Sequence, residues 1–306
     1  MWIFVALVAD TVLAAVGIID KLILTKSISK PIIFVFYSTI FSLGLLFLFP
    51  FGIKFPQVWS DYAIFAVSGF CFALALWTMY IGLQKSEVSH LGPLIGATMP
   101  FFILFLSRIF LAEKLGTYGL LAAVVLMIGS LIISFDLRQS KYGWYGAMGW
   151  GVLAGFLFAV SHVTAKYSYD VYGFYSGFVL TKFPLGIFGL ALLFSPAVRS
   201  LFGKKPAPEQ SADKTTANKK GAYLVIGNMA LGVIGTTLVQ YAAALGSVSL
   251  VNALAGAQYA LLIVFVALIS KFFPKILKET FTKKEIIQKT TAVAVISLGL
   301  VLLFIK

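Results

Sequence analysis

Three ionisable side chains lie inside long apolar stretches of this chain: Asp10, His162 and Lys182. A charge at the centre of a membrane-spanning helix costs roughly 2.5–3.5 kcal/mol, so such residues usually face the protein interior and have a function. His162 can also change its charge near neutral pH. We therefore expect Asp10 and His162 to line a solute path, with one of them carrying a coupled proton. For His162, a neutral ring hydrogen-bonded within the core is the alternative.

Lys182 follows Thr181 deep in its apolar stretch, and it can pair with a carboxylate or phosphate of a ligand, or with Asp10. Small residues share the helical faces of the other two ionisable groups. Asp10 aligns with Ala14 and Gly17, and His162 aligns with Gly155 and Ala159, at helical steps of three and four. Such faces either close around a cavity or simply allow close helix packing.

Further polar and aromatic side chains within apolar stretches complete the candidate binding site. An apolar small-molecule pocket uses aromatic walls and a few polar groups to hold its ligand. An interfacial aromatic belt, or hydrogen bonds between helices, would explain the same residue types. The residues are Tyr37, Trp77, Tyr80, Gln240, Asn252 and Tyr259.

Two prolines, Pro93 and Pro100, lie within one apolar stretch. Proline removes a backbone donor and bends a helix, so this stretch contains either a gating hinge or a fixed bend. The same stretch is followed by Glu113, which we expect to form an interfacial ion pair with Lys114 or Arg108.

The composition is that of an integral membrane protein. Apolar residues make up 60% of the chain and charged residues 11%, against roughly 25% charged residues in soluble domains. The single cysteine excludes an intramolecular disulfide. The sequence contains no metal-spaced His/Cys cluster, nucleophile elbow or phosphate-binding glycine loop. We therefore predict no enzymatic activity, no cofactor and no metal. Lysines between apolar runs account for the net charge of +13 without a nucleic-acid partner.

Hydropathy predicts ten membrane-spanning helices of about 20 residues, the length that crosses a hydrocarbon core of about 30 Å. Two longer, lysine-rich loops, 199–220 and 271–286, interrupt them, and the first has the composition of a flexible linker. The predicted spans are 2–22, 31–51, 61–83, 88–110, 115–135, 143–167, 174–196, 221–243, 248–270 and 287–305.

An internal echo divides the chain into related halves. Val88-Ser89, six residues and then Gly96-Ala97 recurs as Val248-Ser249, six residues and then Gly256-Ala257. Five spans in each half, an odd number, place the second copy upside down relative to the first. The sequence thus predicts an all-α membrane protein of two inverted five-helix repeats, 1–138 and 139–306, around a central cavity.

The distribution of basic residues predicts the orientation. Of the 24 Lys and Arg residues, 18 fall on the side of the two lysine-rich loops. The positive-inside rule places that side in the cytoplasm and both termini outside.

The phrase Ser86-Glu87-Val88-Ser89-His90-Leu91-Gly92-Pro93-Leu94 and the run from Pro100 to Leu115, with Gly129 beyond, resemble the EamA-type domain of the drug/metabolite transporter superfamily. The resemblance covers nearly the whole chain and is stronger in the first half. It implies a ten-helix carrier of small metabolites or drugs, with spans five and ten peripheral. Well-studied eukaryotic carriers of that superfamily keep both termini in the cytosol, in conflict with the charge count, which we retain.

Together these features predict a secondary transporter that moves an amino acid-like or amphipathic solute by alternating access. The alternatives are a flippase for a lipid-linked intermediate and a non-transporting membrane partner protein. The expected location is the inner (cytoplasmic) membrane, with both lysine-rich loops cytoplasmic. The expected partners are a small-molecule substrate and the lipid bilayer, with the protein a monomer or a homodimer.

Overall fold

The computed structural model is built of helices, and no strand occurs among the residues it describes. Those residues are 1–24, 31–85, 88–135, 144–202, 212–272 and 282–305.

Five helices make up the first half: α1 (Trp2–Leu24), α2 (Pro31–Ile40), α3 (Trp59–Lys85), α4 (Val88–Phe110) and α5 (Thr117–Ser134). The predicted span 31–51 is α-helical only to Ile40 and continues as a 3₁₀-helix, Phe41–Phe51. Gly44 and Pro50 lie in that 3₁₀ part, and both residue types are unfavourable in an α-helix.

The next helical stretch, Trp144–Ala191, is 48 residues long and changes direction at Gly173. A φ of 78° places Gly173 in the left-handed region, which glycine adopts without steric cost. Since about 20 residues cross a membrane, this stretch is two helices: residues 144–172 form α6 and residues 174–191 form α7. A 3₁₀ turn, Leu192–Phe194, and a short helix, Pro196–Phe202, follow.

The last three helices are α8 (Ala212–Leu245), α9, which runs as Val248–Ala253 and Ala255–Phe272 on either side of Leu254, and α10 (Lys283–Phe304). The prediction of a flexible linker over 199–220 is therefore wrong at both ends. Ala and Lys, which favour helix, are frequent at the start of α8. Residues 203–211 and 273–281 of the two lysine-rich loops lie outside the described residues.

Eight of the described helical stretches are long and apolar enough to cross a membrane, counting Trp144–Ala191 and its continuation as one. The predicted all-α membrane fold is thereby confirmed.

Helices from the two halves pack against each other in matched pairs. α1 packs on α8 and α9, while α6 packs on α3 and α4; α5 packs on α10 and α4 packs on α9. The repeat itself, its boundary at 138/139 and the central cavity stay predictions.

The two stripes of small residues lie at helix contacts. A side chain at Gly17 would meet Leu262 of α9, and one at Gly155 would meet Thr98 and Met99 of α4. Close packing therefore accounts for these glycines.

Candidate functional site

His162 of α6 is hydrogen-bonded to Asn252 of α9 in the interior of the bundle. The side-chain amide of Asn252 donates from Nδ2 to the carbonyl of Val248 at 2.8 Å, which turns Oδ1 toward the imidazole. His162 Nδ1 then donates to that oxygen at 2.6 Å. Because both side chains are buried, the pair fixes the histidine tautomer and leaves Nε2 as the acceptor of the neutral ring. Both residues are predicted site residues, and the structure brings them together.

Lys182 of α7 lies over an aromatic wall beside this pair. Its Nζ is 3.9 Å from the centroid of the Phe72 ring and 5.8 Å from that of Phe178. The Phe72 ring in turn lies 6.4 Å from the His162 ring, with the two planes nearly parallel. Among the described residues, no carboxylate lies within ion-pairing distance of Lys182. A cation–π contact recovers only part of the cost of burying a cation, so this half-buried ammonium retains attraction for an anionic group.

Asp10 of α1 is a second ionisable group with no counter-charge among the described residues. It is 3% exposed, and its Oδ2 atom has no hydrogen-bond partner among the described residues. Tyr259 lies on α9, which packs against α1. The Tyr259 ring packs against α4, where Gly92 and Gly96 leave room for it. Asn252 and Tyr259 both lie on α9, the helix that packs against the α1 helix of Asp10.

Gln240 of α8 is engaged by a residue that the sequence did not single out. The hydroxyl of Tyr169 donates to Gln240 Oε1 at 3.1 Å, and both side chains are buried. Tyr169 lies two turns after His162 on α6. This contact joins α6 to α8.

The remaining predicted aromatic residues form a separate group. Tyr37, Trp77 and Tyr80 pack around a cluster that contains Val35 and Leu192 rather than around His162. Trp77 contacts Phe188 of α7, with ring centroids 6.3 Å apart. Phe188 also packs against the cluster that holds Phe72 and Phe158. The two groups are therefore neighbours along α7, with Phe188 between them.

The predicted hinge prolines, Pro93 and Pro100, are both buried within α4. The helix continues through both prolines without interruption. A gating role for this helix stays a prediction.

Two carboxylates at the helix ends have hydroxyl partners that the sequence did not reveal. Glu113, expected in an ion pair with Lys114 or Arg108, instead accepts a hydrogen bond from Ser249. Asp61 accepts hydrogen bonds from the hydroxyls of Tyr167 and Tyr172. The first of these contacts involves Ser249, which is one of the residues repeated in the internal echo.

Comparison with known proteins agrees with this architecture. A solved protein structure superposes on the chain with a TM-score of 0.62, covering 98% of this chain and 93% of the other at 13% identity, which shows a similar fold. No curated protein matches the sequence. Residues 1–135 match the sequence model of the EamA-like transporter family. Over this amino-terminal part, somewhat less than half of its length, the chain is similar to the EamA-like transporter family.

Proposed function

We propose that the protein is a secondary transporter that moves a small amino acid-like or amphipathic solute across the cytoplasmic membrane by alternating access. One observation carries the proposal: Asp10 and Lys182 lie within membrane-spanning segments without a counter-charge among the described residues. Intramembrane charges of this kind usually mark substrate or ion pathways. A bound solute with complementary groups offsets part of their desolvation cost.

The chemistry of the candidate site favours a solute with charges of both signs. Lys182 offers an ammonium to a carboxylate, and Asp10 offers a carboxylate to an amine. The rings of Phe72 and Phe158, whose centroids are 5.3 Å apart, provide an apolar surface for the rest of the molecule. His162 Nε2 adds a neutral acceptor. An amino acid-like solute fits this set of groups better than a sugar or a nucleoside.

The proposed setting follows from the charge distribution of the sequence. The protein acts without an enzymatic step in the inner membrane, as a monomer or a homodimer. Loops 199–220 and 271–286 face the cytoplasm and both termini face outward. The two inverted repeats, 1–138 and 139–306, rock against each other around the site.

A thermal-shift screen of the purified protein tests the substrate class. Ligands that bind the folded state raise its stability by about 2.7 kcal/mol at a concentration of 100 Kd. We expect zwitterionic amino acids or amphipathic amines to raise the melting temperature, and sugars and nucleosides to leave it unchanged. A shift confined to lipid-linked intermediates would favour the flippase instead. No shift with any solute would favour a non-transporting partner protein.

Proton coupling through Asp10 or His162 is a separate prediction. In proteoliposomes with an imposed pH gradient, Asp10→Asn is expected to lose concentrative uptake and its pH dependence and to weaken exchange of labelled solute, because the substitution removes both a proton carrier and the carboxylate that meets the solute's amine. His162→Gln is expected to keep both activities if its ring is a neutral binding group, and to lose pH dependence if it carries the proton. Wild-type pH dependence in both variants would refute coupling at either residue.

A further inference from the structure

We propose that two carboxylate–hydroxyl clusters on one face of the bundle form a gate that closes the site from that face. This inference rests on the proposed transport function. We call the face the gate face; it is formed by the joints α2–α3, α4–α5, α6–α7 and α8–α9. By the charge count it is the outer face of the membrane.

The first cluster joins α3 to the turn between α6 and α7. Asp61, in the first turn of α3 and 7% exposed, accepts a hydrogen bond from Tyr167 at 3.2 Å and a second from Tyr172. The Tyr172 ring also packs on Phe65, with centroids 5.6 Å apart. Gly173, the left-handed residue that separates α6 from α7, follows directly. Asp61 therefore holds the turn around which these two helices change direction.

The second cluster joins the α4–α5 joint to the start of α9. Glu113 accepts a hydrogen bond from Ser249, and the hydroxyls of Ser249 and Ser107 are 2.8 Å apart. The backbone N–H of Glu113 donates to the carbonyl of Ser107 at 3.2 Å. Ser249 is fully buried, and it lies in the first turn of α9, where helix N–H groups favour a nearby negative charge. A buried hydroxyl and a helix end thus hold Glu113.

Both clusters lie on the same face of the bundle because the helix ends that carry them are adjacent. Lys166, near the end of α6, donates to the carbonyl of Ala244 at 3.4 Å, near the end of α8. Lys166 also forms an ion pair with Asp170 at 2.9 Å. The α6–α7 turn and the α8–α9 joint are therefore neighbours.

The partners in each cluster come from opposite halves of the chain. Both carboxylates belong to the first half, while Tyr167, Tyr172 and Ser249 belong to the second half. A rocking motion between the halves that opens the gate face must separate these pairs. Hydrogen bonds to charged groups stabilise more than neutral ones. They are nevertheless weak enough, taken singly, for a ligand to shift the equilibrium between closed and open states.

Site-directed cysteine labelling tests the gate. The single native cysteine is first replaced, Cys71→Ala, and Thr181→Cys is introduced beside Lys182. The Thr181 hydroxyl donates to the carbonyls of Gly177 and Phe178 in its own helix. A membrane-impermeant maleimide is applied to the gate face of intact cells. We expect slow labelling in this background, about tenfold faster labelling after Tyr172→Phe or Ser249→Ala, and a larger increase when both are combined.

Matched controls lie on the same face. Tyr118→Phe and Ser60→Ala remove exposed hydroxyls at the starts of α5 and α3 and are expected to leave labelling unchanged. If Tyr172→Phe impairs folding, shown by a lowered melting temperature, Tyr167→Phe replaces it, since Tyr172 then still holds Asp61. Labelling that is equal in gate and control variants would overturn the gate. Faster labelling in the gate variants without any solute transport would support the gate and refute the proposed transport function.

Discussion

Replacing Lys182 with methionine is expected to weaken solute binding strongly and, at the same time, to raise the thermal stability of the protein. Lys182 lies half-buried within α7, with an aromatic ring 3.9 Å away and no ion-pair partner among the described residues. Methionine preserves most of the side-chain length and removes the charge. The folded protein no longer bears the desolvation cost of an unpaired cation, whereas the anionic end of the solute loses the ammonium that we propose it meets.

The expected loss of affinity is about 10- to 150-fold, the effect of about 1.5–3 kcal/mol for a hydrogen bond to a charged group. It is measured by titrating the most stabilising solute against the melting temperature of each variant. Lys166→Met serves as the control, because Lys166 lies at the gate face, already paired with Asp170, and its replacement should leave affinity unchanged. Wild-type affinity in Lys182→Met would exclude Lys182 from the site.

The helices of this protein could be predicted from hydropathy because a membrane span must be apolar along its whole length. The turn between α6 and α7 was placed correctly, since polar residues precede Gly173. Hydropathy alone predicted neither the break in α9 at Leu254 nor the 3₁₀-helix after α2, because neither interrupts a mostly apolar stretch; for the 3₁₀-helix, Gly44 and Pro50 were the available signal. The composition of residues 212–220 predicts a linker, whereas the structure places them in α8, whose alanines and lysines favour helix.

The candidate site could be predicted only where a side chain contrasts with its apolar surroundings. Asp10, His162 and Lys182 stand out for that reason. Phe72 and Tyr169 do not, because aromatic residues are frequent throughout the spans and nothing in the sequence marks the ones that meet Lys182 or Gln240. Their contacts arise from the packing of α3 and α8 against α6 and α7.

The partner of Glu113 could not be predicted from its neighbours in sequence. Charged residues next to it suggested an ion pair, whereas the fold brings Ser249 to it from the other half. The echo that contains Ser249 is thus explained in part by contacts between the halves. Gly256, a second echo residue, also lies at a contact between the halves, since a side chain there would meet Ser130 and the backbone of Leu126 in α5.

The close contact between α3 and α7 makes the protein's stability sensitive to a substitution at Gly69. At Gly69, an added methyl group would lie 2.7 Å from the carbonyl oxygen of Thr181 and 2.8 Å from the backbone nitrogen of Leu185. Because these are backbone atoms, they cannot move aside by rotating a side chain, and α7 must shift as a whole. We expect Gly69→Ala to lower the free energy of unfolding by about 1–3 kcal/mol.

The same substitution should weaken solute binding, because Lys182 and Thr181 are adjacent on α7 and a displaced helix moves the ammonium away from Phe72. Melting temperature and ligand titration together measure the two effects. Gly149→Ala in α6 is the matched control: its added methyl group meets no atom within 4 Å, and alanine is favoured over glycine in a helix by about 1 kcal/mol, so stability should stay equal or rise. If Gly69→Ala behaved like Gly149→Ala, α3 and α7 would not be packed backbone to backbone, and the position of Lys182 would not depend on their contact.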